Sequence, residues 1–137
     1  MGTVFVLDAS VTLTWAFPDE THPMATHAAE LLEKGLGQAR VPALWWFEVR
    51  NILLVSERRG RISAEGTAQF LRSLNWLEIE TEQARDQESL FNFARKYRLT
   101  VYDAAYLSLA ARERIPIATL DRAVQTAATA EGIPLLA

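Results

Sequence analysis

Short apolar segments alternate with helix-like segments along this chain, and the alternation limits the folds that it can adopt. The first apolar segment, Val4 to Leu7, is continuous and rich in β-branched residues, which is typical of a strand buried on both faces. The other strand-like or extended segments are Arg40 to Pro42, Leu77 to Ile79, Pro116 to Leu120 and Ile133 to Leu136. Strands that alternate with helices predict an α/β fold with a mostly parallel central sheet.

Seven helices are predicted in the intervening segments. Pro18 ends the first helix, Gly60 stops the third and Ser63 caps the fourth. The predicted helices are Ser10 to Phe17, Pro23 to Lys34, Leu44 to Arg59, Ser63 to Leu74, Glu82 to Tyr97, Tyr102 to Arg114 and Asp121 to Glu131. Because no repeat, low-complexity segment or linker interrupts these elements, we expect one domain over residues 1–137.

The composition is that of a chain that can fold but that has no general attraction for nucleic acid. Hydrophobic residues make up 50% of the chain and charged residues 23%, so burial of apolar surface can offset the entropy lost on folding. The formal net charge is -3. An RNA or DNA ligand would therefore require a local basic surface or bound cations.

The absence of cysteine excludes disulfides, thiolate metal sites and cysteine nucleophiles, and it favours a reducing cytoplasm as the location. The N-terminus has no basic region, and Asp8 interrupts its apolar run, so it does not resemble a signal peptide. No apolar stretch approaches the roughly 20 residues that cross a bilayer. We therefore expect no membrane association.

Two aspartates directly follow strand-like segments. Asp8 follows the first strand, and Asp121 follows Ile117 to Leu120 and opens a helix. In open α/β sheets, ligand sites lie beyond the carboxyl ends of the strands, so both aspartates are candidates for such a site. Capping of the helix that begins near Ser10 would explain Asp8 equally well. Thr119 can donate a hydroxyl hydrogen bond into the same region.

Glu48 lies in a helix that is apolar nearly all round. Its neighbours on the same face of that helix are all apolar: Leu44, Trp45, Ile52 and Val55. Glu48 is therefore predicted to lie on the buried stripe, where an unpaired carboxylate is costly unless it is neutralised. Arg50 is on another side of the helix, whereas Asn51 can reach the same side and support a ligand. A structural alternative is pairing with a distant arginine.

Asp103 begins a late helix and is followed by two small residues, Ala104 and Ala105, which leave space for ions or substrate. The helix dipole alone can also explain an acid in this position. If the strands are adjacent, Asp103 joins the other three acids in one region. Closely packed carboxylates repel each other, and divalent cations relieve that repulsion. Mg²⁺ suits such a site because it prefers oxygen ligands to histidine or cysteine.

At these residues the sequence resembles the PIN domain, and in particular the VapC-type toxins of bacterial and archaeal toxin–antitoxin operons. The matching segments are Val6 to Ser10, Glu48 to Asn51, Thr100 to Leu107 and Ala118 to Asp121. Each motif is short, but their order, their spacing and the total length all match. The resemblance covers essentially the whole chain.

The resemblance implies a three-layer α/β/α sandwich with a mostly parallel sheet, and Mg²⁺- or Mn²⁺-dependent cleavage of RNA. The positions that match the family's metal ligands and catalytic acids are Asp8, Glu48, Asp103 and, as a more variable fourth acid, Asp121. The positions that match its supporting polar residues are Ser10, Asn51 and Thr119. A homodimer and a co-expressed antitoxin, which inserts a segment near the acids, are also implied.

The sequence thus predicts an endoribonuclease toxin that hydrolyses RNA phosphodiesters with a metal-activated water. One alternative is a catalytically inactive PIN-like module that binds RNA or protein. Another is a phosphoryl-accepting domain of the receiver or haloacid-dehalogenase type. The receiver type pairs its acids after the first strand, and the dehalogenase type has Asp-x-Asp, whereas here Asp8 is followed by Ala9 and Ser10.

Overall fold

Four strands and seven helices alternate along residues 2–137, the part of the chain that the computed structural model describes. The strands are β1 (Thr3–Leu7), β2 (Gly37–Pro42), β3 (Ile79–Glu82) and β4 (Ile117–Ala118). The helices are α1 (Ala9–Thr14), α2 (Pro23–Glu33), α3 (Leu44–Arg58), α4 (Ala64–Leu74), α5 (Gln87–Tyr97), α6 (Val101–Glu113) and α7 (Arg122–Ala130). None of these helices has the length and hydropathy that crossing a membrane requires.

The strands form one parallel sheet in the order β3-β2-β1-β4. In this register Val6 of β1 lies opposite Arg40 of β2 on one side and Ile117 of β4 on the other. Leu135 adds one parallel bridge to Ile117 beyond β4. The carboxyl ends of β1 and β4 are therefore adjacent, which places Asp8 next to the residues that follow Ala118.

Both faces of the sheet are covered. Phe5, Val6 and Leu7 are completely buried, and successive side chains of a strand point to opposite faces. Helix α6 packs against β1, β2 and β4, and it also contacts α5 and α7. Helix α2 packs against β2 and β4. Helix α1 contacts both α2 and α3. The predicted α/β sandwich with a parallel central sheet is confirmed.

The predicted boundaries are wrong mainly around β3. The strand is Ile79–Glu82 instead of Leu77 to Ile79, and the next helix begins at Gln87, after the capping residue Asp86, instead of at Glu82. β3 is an edge strand of the sheet, and an edge strand tolerates polar side chains such as those of Glu80 and Glu82. A strand of this composition is easily mistaken for the start of a helix.

Four further elements differ in length from their predictions, and one of them is β4, which is Ile117–Ala118 instead of Pro116 to Leu120. β2 extends back to Gly37, because alternate residues from Gly37 to Val41 are buried. Helix α1 ends at Thr14 instead of Phe17. The predicted strand from Ile133 to Leu136 is reduced to the single bridge at Leu135.

Candidate active site

Asp8 follows β1 with its carboxylate buried at the edge of the sheet. It occupies the position before α1, but its side chain makes no capping hydrogen bond to that helix. Instead, its Oδ2 atom accepts hydrogen bonds from Thr119 Oγ1 at 2.6 Å and from Ser10 Oγ at 3.0 Å. The capping alternative for Asp8 is therefore wrong, and the carboxylate is held by two hydroxyl groups from different elements.

Thr119 links the ends of β1 and β4. It is completely buried, and its hydroxyl oxygen also accepts a hydrogen bond from the Asp121 backbone amide at 3.1 Å. Ser10 strengthens the same link, because its Oγ atom accepts from the Leu120 amide at 3.0 Å. The register of β1 against β4 thus fixes the separation of Asp8 from Asp121.

Asp121 has two roles, since it caps α7 and faces the acidic site. Its Oδ1 atom accepts from the Val124 amide at 3.0 Å, which satisfies a free donor at the helix start. The charge of Asp121 is also close enough to raise the pKa of both Asp8 and Asp103.

Glu48 lies on α3 and is half-buried. The buried face of this helix consists of Trp45, Val49, Leu53 and Ser56. Glu48 lies beside that face, and its predicted neighbour Ile52 is 42% exposed, so the prediction of a fully buried stripe around Glu48 is wrong. No arginine pairs with it among residues 2–137. Instead, Tyr106 donates its hydroxyl to Glu48 Oε1 at 2.5 Å.

Asp103 lies in the first turn of α6 and is half-buried. Its backbone amide donates to the capping hydroxyl of Thr100 at 3.0 Å. The capping interaction therefore belongs to Thr100, and the Asp103 carboxylate stays available to the neighbouring acids.

Charge interactions connect the four acids. Burial raises the pKa of Asp8, and the charge of Asp121 adds to this effect, while the two hydroxyl hydrogen bonds oppose it. Burial also raises the pKa of Glu48, with additions from Asp8 and Asp103. Burial raises the pKa of Asp103, and Asp121 and Asp8 raise it further. We call Asp8, Glu48, Asp103 and Asp121 the acidic cluster.

No basic side chain of residues 2–137 forms an ion pair with the acidic cluster. The ion pairs lie elsewhere and join Arg40 to Glu113, Arg61 to Asp19 and Glu20, and Lys96 to Glu131. Arg50, two residues from Glu48, donates to the Trp46 carbonyl oxygen and stacks on the Trp46 ring. The repulsion within the cluster is therefore not compensated by arginine or lysine.

The donor atoms of the cluster are suited to a hard divalent cation. They are carboxylate oxygens with hydroxyl oxygens beside them, and neither nitrogen nor sulfur ligands are present. In residues 2–137, no three acidic or histidine side chains are gathered tightly enough to enclose an ion as they stand. Cation binding would therefore need side-chain rotations that bring the carboxylates together.

A family model of the PIN domain matches residues 5–130, a span that includes the entire acidic cluster. This chain belongs to the PIN-domain family. The expectation drawn from its short motifs is confirmed, and the receiver and dehalogenase alternatives lose their basis.

Several solved structures share the fold of this chain. PAE2754 from Pyrobaculum aerophilum has a TM-score of 0.71 at 19% identity, covering 93% of this chain and 86% of that one. A toxin–antitoxin complex from Klebsiella pneumoniae has a TM-score of 0.57 at 15% identity, covering 85% and 86%. FitAcB from Neisseria gonorrhoeae has a TM-score of 0.57 at 13% identity, covering 98% and 97%. No curated protein matches the chain.

Six of the seven predicted site residues lie together in the structure, and the role predicted for the seventh, Asn51, stays a prediction. The acidic cluster, Ser10 and Thr119 are neighbours, whereas Asn51 is exposed and takes part in none of the hydrogen bonds of the site.

Two residues of this PIN domain were missed. Tyr106 contacts Glu48, and Gln125 donates to the Thr119 carbonyl oxygen at 2.7 Å. Both could have been found by helical spacing, since Tyr106 lies three residues after Asp103 and Gln125 four residues after Asp121.

Proposed function

We propose that this PIN domain, taken as one domain over residues 1–137, is a metal-dependent endoribonuclease. The observation that carries the proposal is a cluster of four acids, without a basic partner in the described chain, beyond the carboxyl ends of parallel strands. Such a position is where α/β sheets bind ligands, and PIN domains are generally nucleases. Asp8, Glu48, Asp103 and Asp121 are the proposed catalytic residues and metal ligands.

The proposed cofactor is Mg²⁺, with Mn²⁺ as a substitute. When bound, such a cation would activate water and offset negative charge at the RNA phosphodiester. The chain's own contribution is to hold the acids in place. Thr119 and Ser10 fix the Asp8 carboxylate, and Asn51, which is exposed, is proposed to act only toward a bound ligand.

The proposed partners include a cognate antitoxin. One solved structure with the same fold is a toxin–antitoxin complex, and the motifs resemble VapC-type toxins. A toxin of this kind acts on RNA in the cytoplasm, and an antitoxin segment that reaches the acidic cluster would block access to it. The proposal therefore assigns the chain to a type II toxin–antitoxin pair.

A homodimer is also proposed, because α3, α5 and α6 expose several large apolar side chains. The members of this exposed apolar face are Trp46, Phe47, Ile52, Leu54, Phe91, Val101 and Tyr102. A cavity of about 420 Å³ lies between the start of α3, one side of α6, and α5 with the segment that precedes it. Exposed apolar patches of this kind usually mark an interface, and dimers with two-fold symmetry are the commonest assemblies.

Cleavage of structured RNA tests the proposed activity. We expect the wild-type protein to cut RNA with Mg²⁺ and to stop when EDTA is added. Asp8→Asn should lower the rate on the order of 100-fold or more, the scale of losing one electrostatic group at an active site. Asp19→Asn is the matched control, because Asp19 is an exposed aspartate paired with Arg61 and should leave the rate unchanged.

Two results would overturn the proposed activity. Cleavage that is equal in wild type and Asp8→Asn would show that the acidic cluster is not the active site. RNA binding without cleavage at any Mg²⁺ or Mn²⁺ concentration would instead support an inactive RNA-binding module.

A further inference from the structure

Tyr106 is the largest of the fully buried side chains, and it carries a hydroxyl group into the core. Phenylalanine would fill nearly the same space without a polar atom that requires a partner. The hydroxyl of Tyr106 donates to Glu48 Oε1 at 2.5 Å. The single proton of a buried hydroxyl is thus directed at one member of the acidic cluster.

The position of Tyr106 on α6 allows this contact to align two acids. Tyr106 follows Asp103 by three residues, so both side chains project from the same side of the helix. Glu48 lies near the charge of Asp103 as well as the hydroxyl of Tyr106. One rigid helix therefore carries an acid and also the group that orients another acid.

The hydrogen bond between Tyr106 and Glu48 joins two helices whose main packing partners differ. Helix α3 packs mainly against α1 and β2, whereas α6 packs mainly against α5, α7, β1, β2 and β4. The bond is thus a direct polar connection between α3 and the layer that contains Asp103.

Glu48 needs such a connection because its carboxylate can otherwise rotate away from the other acids. It is half-buried, its side chain has three rotatable bonds, and Asp8 and Asp103 repel it. Without a donor on the inner side, the carboxylate could turn toward solvent. The donors of Asp8 come from other residues, Thr119 and Ser10, so Tyr106 serves Glu48 specifically.

We propose that Tyr106 is a positioning residue whose buried hydroxyl keeps the Glu48 carboxylate on the side that faces Asp8 and Asp103, from which side-chain rotations can bring the acids around a shared divalent cation. This inference rests on the proposed metal-dependent function. A group that orients a metal ligand usually changes cation affinity about 10- to 100-fold. The effect of Tyr106 on cation affinity should depend on Glu48, and it should be absent when Glu48 cannot act as an anionic ligand.

Isothermal titration calorimetry with Mn²⁺ on the full chain tests this proposal through a double-mutant cycle. The variants are Tyr106→Phe, Glu48→Gln and both together. We expect Tyr106→Phe to weaken Mn²⁺ binding about tenfold. The double variant should bind no more weakly than Glu48→Gln alone, because the hydroxyl then has no carboxylate to orient.

Tyr97→Phe is the matched control for this cycle. It removes another hydrogen bond between a tyrosine hydroxyl and a glutamate, that of Tyr97 to Glu131, at the opposite end of α6 from Asp103. Mn²⁺ binding by this variant should equal that of the wild type. RNA cleavage by Tyr106→Phe should need a higher Mg²⁺ concentration but approach the wild-type rate at saturation.

The possible failures of the cycle are distinguishable. If the wild type neither binds Mn²⁺ nor cuts RNA, the proposed function fails, and this inference fails with it. If the wild type does both and Tyr106→Phe binds Mn²⁺ equally well, only the positioning role is wrong. If Tyr106→Phe weakens binding to the same extent in the Glu48→Gln background, or fails to fold, the hydroxyl serves the core instead of Glu48.

Discussion

At the scale of single residues, the acidic cluster is a site where the folded chain keeps repelling charges together. Burial raises the pKa of Asp8, Glu48 and Asp103, and the neighbouring carboxylates add to it. As pH rises through the ordinary carboxyl range, the unfolded chain releases protons that the folded chain retains. Metal-free stability should therefore fall with rising pH until the raised pKa values are passed.

This linkage predicts that removing one charge stabilises the metal-free protein. In EDTA at neutral pH, Asp103→Asn should raise Tm by a few degrees, since the asparagine no longer repels Asp8 and Asp121. The gain should shrink as pH is lowered toward about 4, where the carboxyls in the unfolded chain take up protons. Thermal melts followed by circular dichroism at several pH values measure both effects.

Glu88→Gln provides the control for this melt series. Glu88 lies in the first turn of α5 as Asp103 lies in the first turn of α6, so its replacement removes the same favourable interaction with a helix dipole. It should lower Tm slightly or not at all. A lower Tm for Asp103→Asn than for the wild type at neutral pH would contradict the repulsion argument.

At the scale of elements, the sequence correctly predicted the elements that local composition specifies, and it misplaced a strand that depends on pairing with another strand. The continuous apolar run of β1 and the cap at Ser63 were read correctly because local composition is sufficient to specify them. β3 was misplaced, because its residues Ile79 to Glu82 gain strand structure from pairing with β2. Helical spacing can place Tyr106 beside Asp103, but it cannot predict the contact of Tyr106 with Glu48, which lies 58 positions away in the chain.

Two of the candidate acids were also identified from a local sequence pattern. Asp8 and Asp121 directly follow apolar strands, a local pattern that predicts their location at the sheet edge. The burial of Glu48 was overestimated, because α3 is apolar on more faces than the molecule covers. Its excess apolar side chains lie on the exposed apolar face that the proposed homodimer would bury.

The exposed side of α3 gives a prediction about assembly. Phe47 is 68% exposed, and Phe47→Glu would place a charge on the exposed apolar face. We expect the wild type to be a dimer and Phe47→Glu to be a monomer in light scattering after size-exclusion chromatography. Trp76→Glu, which changes a residue that is 89% exposed after α4, should remain a dimer. A monomeric wild type would contradict the proposal.

At the scale of the whole molecule, the fold brings negative charge to a place where the chain supplies no basic partner. The chain has 17 acidic and 14 basic residues, and the four cluster acids lie apart from every ion pair of residues 2–137. An anionic substrate such as RNA could not approach this surface unless cations were bound there. The proposed activity and the proposed cofactor therefore both depend on the uncompensated negative charge of the acidic cluster.

An anomalous difference map from crystals grown with Mn²⁺ tests this central claim most directly. We predict one or two strong peaks bounded by the carboxylates of Asp8, Asp103 and Glu48 or Asp121, and their loss in crystals of Asp8→Asn. A map with no peak in the acidic cluster at saturating Mn²⁺, or with peaks only at other surface acids, would contradict the account.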